Sequence, residues 1–279
     1  MEEVIKLAVI GSPISHSLSP KIHKIFAESL GIDISYEALH VEPVDFKESV
    51  RSLFQKGYTG LNVTLPLKLL ASEFADNQSE ESRLCGSANT LWKQGSAIYA
   101  DSTDGRGLIN DFQKQNVELK DKDVILLGSG GSARAILPSL LKKHPKRISI
   151  LNRSEDKALA LADKFSQSQQ RIQVRSISEK LNFKPDIVIN STSASTLKQD
   201  ILLPDDIFHE EAFFYDLSYS KDPTPFVEMA ISSGVRKCSD GIGMLIEQAA
   251  LSFEIWTSMK PKTDSIKPVS YTHLRAHET

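Results

Sequence analysis

A chain of 279 residues is long enough for two domains of ordinary size, and a content of 40% hydrophobic and 25% charged residues fits a packed globular protein, not a disordered, collagenous or fibrous one. With 33 basic against 36 acidic residues the formal charge is −3, so no global positive field draws the chain to nucleic acid or anionic lipid. Cys85 and Cys238 lie far apart and have no companions at metal-ligand spacing, which predicts reduced thiols in a cytoplasm and no structural metal. The N-terminus carries acids before a short apolar run, and no apolar stretch approaches the about 20 residues that span a bilayer, so neither a signal peptide nor a membrane span is expected.

In chain order, short β-branched runs alternate with amphipathic stretches: a strand over 5–10, a helix over 20–30, a strand over 35–40, a helix over 44–56 and a strand over 60–64. This βαβαβ order predicts a mainly parallel sheet. Residues 90–94 and 98–100 flank Gly95 and Ser96 as a hairpin, expected as an edge appended to that sheet. A helix over 104–115 follows. The pattern then restarts with an apolar strand at 124–127, further strands at 147–151, 172–175, 187–190 and 213–217, and helices over 132–143 and 155–165 between them. A last helix over 241–259, apolar on much of its surface, is expected to return to the first domain. The fold class is therefore α/β with two domains, one over 1–103 plus 240–268 and one over 104–239.

Gly128-Ser129-Gly130-Gly131-Ser132-Ala133 satisfies G-x-G-x-x-G/A, after a strand and at the opening of a helix. Glycines there let the backbone turn tightly and approach a pyrophosphate, whose charge the helix-start amides hold. The second domain is accordingly expected to be a doubly wound, Rossmann-type dinucleotide-binding domain. Its next strand ends in Asn152-Arg153-Ser154, where an NAD site usually carries an acid for the ribose 2′-hydroxyl. Arg153 lies 25 positions after Gly128, and Lys157 follows shortly. Alone, Arg153 reads as an exposed strand-end residue; at this location it favours a 2′-phosphate and hence NADP.

In the first domain, residues 11–20 place Ser15, Ser17, Ser19 and His16 between a strand and a helix, where hydroxyls suit a carboxylate or hydroxyl ligand. Ser19 with Pro20 also reads as a helix cap, which leaves Ser17 unexplained. Residues 60–68, with Asn62, Thr64 and Lys68, form a second polar cluster; 87–90, with Asn89, form a third; 101–105, with Asp104, form a fourth. Taken singly, Lys68 reads as a solvated lysine and Asp104 as an N-cap.

Together, and in this order, the motifs resemble those of the shikimate dehydrogenase family from about Leu7 to Trp256. The matching segments are His16-Ser17-Leu18-Ser19-Pro20, Asn62-Val63-Thr64 through Lys68, Asn89-Thr90, Thr103-Asp104-Gly105, Gly128 to Arg134, Asn152-Arg153, Asn190-Ser191-Thr192-Ser193 and Asp240-Gly241-Ile242-Gly243-Met244 through Gln248. The resemblance implies two domains with a cleft between them and NADP-dependent, reversible reduction of 3-dehydroshikimate to shikimate on the route to chorismate and the aromatic amino acids, in a monomer or homodimer. It implies that Ser17, Ser19, Thr64, Asn89, Tyr219 and Gln248 bind substrate, with Lys68 and Asp104 at the reacting oxygen. For the cofactor it implies residues Gly128, Ser129, Gly130, Gly131, Ser132 and Ala133, then Asn152, Arg153 and Lys157, with Thr192, Leu217 and Gly241 near the nicotinamide. Lys24 and Ser129 depart from the family's frequent asparagine and alanine, and residues 269–279 do not resemble its closing segment, so they are expected to be a non-native or disordered tail. Two alternatives stand beside this reading: a broader quinate and shikimate dehydrogenase, and a non-catalytic NADP-binding sensor, against which the presence of both Lys68 and Asp104 speaks.

Overall fold

The computed structural model describes residues 4–165, 172–177, 179–192, 194, 203–264 and 266. The expected tail at 269–279, with His273 and His277, and Ser193 of the motif that begins at Asn190 lie outside the described residues. The chain divides into two compact units, one drawn from Met1–Leu108 and Leu245–Ser270, the other from Ile109–Met244.

The first unit begins β1 (Ile5–Gly11), α1 (Ser19–Leu30), β2 (Ile34–His40), α2 (Phe46–Gln55) and β3 (Tyr58–Val63). Short elements follow, α3 (Lys68–Phe74), β4 (Asn77–Gln78) and α4 (Glu80–Cys85), then the hairpin β5 (Thr90–Gln94) and β6 (Ala97–Asp101). Strands β1, β2 and β3 are parallel, as the alternation predicted, and Leu7 to Gly11 are buried, as a strand with both neighbours paired and both faces covered must be. The sheet order is β2-β1-β3-β5-β6-β4. The hairpin runs antiparallel to β3 with Trp92 opposite Tyr99, and Gly95 takes a φ of 64° at its turn. It is not the sheet's edge: the two residues of β4 pair with β6 outside it, a strand too short to leave a periodic signal. One face of the sheet packs Ala8, Ile10, Leu61 and Val63 against α2, whose Phe46, Val50, Leu53 and Phe54 recur at helical spacing.

Helix α5 (Asp104–Lys114) begins in the first unit and continues, from Ile109, in the second. There β7 (Asp123–Leu127), α6 (Gly131–Leu141), β8 (Arg147–Asn152), α7 (Glu155–Asp163), β9 (Ile172–Ser176), β10 (Ile187–Asn190), β11 (Phe213–Asp216), α8 (Pro225–Ser232) and β12 (Lys237–Ser239) build an all-parallel sheet ordered β12-β11-β10-β7-β8-β9. This is the doubly wound order of a dinucleotide-binding sheet. Its core joins Ile125, Leu127 and Leu151 to Val188, Phe214 and Phe226. The last helix, α9 (Ile242–Thr257), belongs to the second unit as far as Met244 and to the first from Leu245 onward.

Candidate active site

In the first unit β1 lies between β2 and β3, and in the second β7 lies between β8 and β10, so the chain changes direction across the sheet at β1/β3 and at β7/β10. Loops leaving the carboxyl ends of such a strand pair diverge and leave a crevice, the usual ligand position of an open α/β sheet. The serine loop and Thr64 follow β1 and β3, the glycine turn and Thr192 follow β7 and β10, and the other candidate residues come from the elements around them.

In the first unit the serine loop leaves β1 and the residues after Asn62 leave β3. Gly11 holds the two segments together: a Cβ there would lie 2.4 Å from Thr64 Cγ2, so only glycine permits this approach. The Thr64 amide donates to the Ile10 carbonyl at 3.0 Å, and the Ser12 amide to the Leu65 carbonyl at 3.2 Å. The cap expected from Ser19 is not formed. Helix α1 starts at Ser19 itself, with Leu18 at the N-cap position and no side-chain cap. Instead Ser17, the residue that capping left unexplained, accepts the Ser19 amide on its Oγ at 3.3 Å. One lone pair and the hydroxyl proton of Ser17 stay available for a ligand.

Lys68 and Asp104 are each the first residue of a helix, α3 and α5. Their side chains meet: Lys68 Nζ donates to Asp104 Oδ2 at 2.6 Å, with the lysine side chain 22% exposed and the aspartate 8%. The other carboxylate oxygen, Oδ1, accepts Asn89 Nδ2 at 3.1 Å. The same amide nitrogen lies 2.9 Å from Gln248 Oε1 and 2.8 Å from Thr103 Oγ1, while Asn89 Oδ1 accepts the Thr103 amide at 2.9 Å and the Thr90 hydroxyl at 3.0 Å. These contacts set the orientation of the Asn89 amide. Gln248 reaches this cluster because Gly107 lets α9 come close: a Cβ at Gly107 would stand 2.7 Å from the Gln248 backbone nitrogen. The structure therefore joins Lys68, Asp104, Asn89 and Gln248 in one hydrogen-bonded group, with Ser17, Ser19 and Thr64 on the neighbouring loops. Tyr219 belongs to the second unit. Burial and the Asp240 carboxylate push its phenol pKa up, so it carries its proton and can donate.

In the second unit Gly128 follows β7 with a φ of 96°, a conformation that strains any L side chain, and a Cβ there would lie 3.0 Å from Ser191 Oγ and Thr192 Cγ2. Gly130 caps α6 without a side-chain hydrogen bond, the first turn of α6 holds no acid, and a Cβ at Gly130 would meet nothing within 4 Å. Backbone amides facing open space at a helix start fit a pyrophosphate. Ser129, Gly131, Ser132 and Ala133 complete this turn. At the end of β8, Asn152 Nδ2 donates to the Ser154 carbonyl at 2.7 Å, which shapes the turn that exposes Arg153. Arg153 and Lys157 make no ion pair among the described residues and are exposed, as a 2′-phosphate contact requires.

Thr192, Leu217 and Gly241 are drawn together by two residues absent from the sequence-predicted site. Asn190 Oδ1 accepts the Thr192 amide at 3.1 Å and its hydroxyl at 2.7 Å, and the Asn190 carbonyl accepts the Leu217 amide at 2.9 Å. Asn190 Nδ2 donates to Asp216 Oδ1 at 3.0 Å, whose other oxygen takes the Thr224 hydroxyl at 2.6 Å. A Cβ at Gly241 would lie 2.1 Å from the Leu217 carbonyl oxygen, so this approach too needs glycine. Asn190 falls within a matched motif, which is the signal that could have found it. Asp216, fully buried inside an apolar strand, stands out in the sequence only as an acid where none belongs.

Comparison with known proteins finds one family over almost the whole chain. Residues 9–91 match the model of the shikimate dehydrogenase substrate binding domain, 111–228 that of shikimate / quinate 5-dehydrogenase, and 241–269 that of the shikimate 5′-dehydrogenase C-terminal domain. Shikimate dehydrogenase (NADP(+)) of Legionella pneumophila strain Corby is 43% identical over 97% of this chain and 98% of its own. Among solved structures, an Ael1 enzyme from Pseudomonas putida is 36% identical with a TM-score of 0.88, covering 97% of this chain and 98% of that one. Shikimate 5-dehydrogenase from Thermus thermophilus, in complex with NADP(H) and shikimate, is 28% identical with a TM-score of 0.87 over 97% of this chain and 100% of that one.

Proposed function

The chain belongs to the shikimate dehydrogenase family, and from that premise we propose that it is an NADP-dependent oxidoreductase interconverting 3-dehydroshikimate and shikimate in the biosynthesis of chorismate and the aromatic amino acids. The observation that carries this reading is the Lys68–Asp104 pair, 2.6 Å apart and braced by Asn89. A protein that only sensed NADP would need no such pair beside a substrate crevice.

NADPH, held by the glycine turn, would supply the hydride for the ketone carbon, and this chain's own residues must then stabilise and protonate the negative charge that develops on the ketone oxygen. The Lys68–Asp104 pair meets that need: Asp104 holds the lysine Nζ in place, and the pair delivers the proton that converts the ketone to the alcohol. In the oxidative direction the pair receives that proton. Asn89 and Gln248 orient the ring, Thr64 adds a hydroxyl, and Ser17, Ser19 and Tyr219 hold the carboxylate with neutral donors. For NADP, the amides of residues 128–133 take the pyrophosphate, Asn152, Arg153 and Lys157 take the adenosine ribose and its 2′-phosphate, and Thr192, Leu217 and Gly241 border the nicotinamide.

We take the substrate domain as 1–103 with 240–268 and the cofactor domain as 104–239, in a monomer or homodimer; the joints between the compact units lie five residues further on at 108 and 245, which leaves Asp104 with the substrate domain. Both cysteines are free thiols, in keeping with a cytoplasmic location, and among the described residues no helix is long and apolar enough to cross a membrane. Incubation with shikimate and NADP, followed at the NADPH absorbance band, should show shikimate-dependent growth of that band. No growth with shikimate would refute the assignment, and growth with quinate at a matching rate would favour the broader enzyme.

A further inference from the structure

Tyr36 lies on β2 outside every motif, yet it anchors the hydrogen-bond chain behind the substrate residues. Its hydroxyl donates to Asn62 Oδ1 at 2.7 Å. That bond decides which end of the Asn62 amide is the carbonyl, so the NH₂ end faces the opposite way, where it donates to the Asn89 carbonyl at 3.0 Å and to Ser252 Oγ at 3.1 Å. The Asn89 carbonyl also accepts the Val63 amide at 2.8 Å, so both its acceptor positions are filled and the main chain that carries the Asn89 side chain is held from two sides. Ser252, fully buried, continues the chain to Thr90 Oγ1 at 2.7 Å and to the Gln248 carbonyl at 3.2 Å.

The ring of Tyr36 is fixed as well. It stacks on His23 with centroids 4.3 Å apart and planes 12° from parallel. Burial pushes the phenol pKa well up while the neighbouring Ser19 hydroxyl opposes that rise, which places Tyr36 beside the serine loop and keeps it a donor.

We propose that Tyr36 is a positioning residue for shikimate: its hydroxyl sets the Asn62 amide, and through it Asn89, in the arrangement that receives the ring. The inference rests on the shikimate reading above for its kinetic test, but its structural core, the orientation of Asn62 and Asn89, does not. Tyr36→Phe removes the hydroxyl and keeps the stack on His23. The KM for shikimate should rise about three- to tenfold, the effect of one misaligned hydrogen bond, with the KM for NADP unchanged and the melting temperature slightly lower because the buried Asn62 carbonyl loses its donor. Tyr36→Leu should give a similar KM and, having lost the stack as well, a lower melting temperature than Tyr36→Phe. In parallel, the side-chain amide NMR signals of Asn62 and Asn89 should shift and exchange faster in Tyr36→Phe, whether or not the wild type turns over shikimate. A wild type inactive on shikimate would overturn the functional reading and leave the amide signals to decide this one. Unmoved amide signals, an unchanged shikimate KM in an active enzyme, or equal rises in both Michaelis constants would overturn it.

Discussion

The two units solve the same geometric problem with opposite materials. Each opens a crevice where the chain changes direction across its sheet, at β1/β3 and at β7/β10. The first unit fills the surroundings with side chains that hold one another: Lys68, Asp104, Asn89, Thr103 and Gln248 are tied by bonds of 2.6 to 3.1 Å. The second leaves backbone and empty space, with Gly128 in a left-handed turn and Gly130 facing nothing within 4 Å. A ligand defined by its hydroxyl pattern needs fixed side chains, whereas a pyrophosphate needs amides and room. The first site should therefore fail by losing chemistry and the second by losing affinity.

The largest expected effect lies in the first unit. Lys68→Ala and Asp104→Asn should each lower turnover by about 10² to 10⁴, the usual worth of a general acid–base group, while a cofactor titration shows NADP binding nearly intact. Equal losses of turnover and NADP affinity would break the division between the units.

Acid should also act first on the first unit. His23 is fully buried among Phe26, Tyr36, Phe253 and Trp256, and burial lowers its pKa from 6.5 to about 3. The folded state holds it neutral, so its full contribution to stability is present above pH 6.5 and is lost as the pH falls towards 3, because the unfolded chain binds a proton the folded one refuses. The slope is about 1.4 kcal/mol per pH unit. Denaturant midpoints at pH 6.5 and 4.5 should diverge less in His23→Phe than in the wild type, by roughly 2 kcal/mol. Identical acid slopes would show that His23 is not held neutral.

Smaller effects test the second unit. Arg153→Ala should weaken NADP about tenfold and NAD little, since an exposed guanidinium contributes only through the 2′-phosphate. Matching losses for both cofactors would remove Arg153 from that role. Gly130→Ala adds a methyl where no protein atom stands, so folding stability should change by about 0.5 kcal/mol or less, while NADP affinity drops several-fold and the shikimate KM stays put. Unaltered NADP affinity would mean that the open space at Gly130 is not the pyrophosphate position.

The difference between the units also explains what the sequence can reveal. The glycine loop is legible because its chemistry is local: a strand, a turn and a helix start within one segment specify it. Lys68 and Asp104 are legible only as members of an ordered set of motifs, since their contact joins helices 36 residues apart. Ser17's bond to the Ser19 amide is not, because α1 begins one residue earlier than a capping serine at 19 implies, and Leu18 carries no side chain able to cap. Tyr36 leaves no local signal because its partner comes from another strand, Asp216 leaves only that of an acid in an apolar strand, and β4 leaves none because two residues have no period. The longer strands and helices are readable because both sheets bury apolar runs at their centres, whereas the short α3, α4, α8 and β12 are not predicted.

The central claim is that Lys68 and Asp104 act as one proton-handling unit inside the first unit's side-chain cluster. A double-mutant cycle of Lys68→Ala and Asp104→Asn, read as turnover of shikimate with saturating NADP, tests it most directly. Groups that act together lose their function once, so the double variant should be little slower than the slower single variant. Losses that multiply across the two substitutions would contradict the claim and show that the residues act independently.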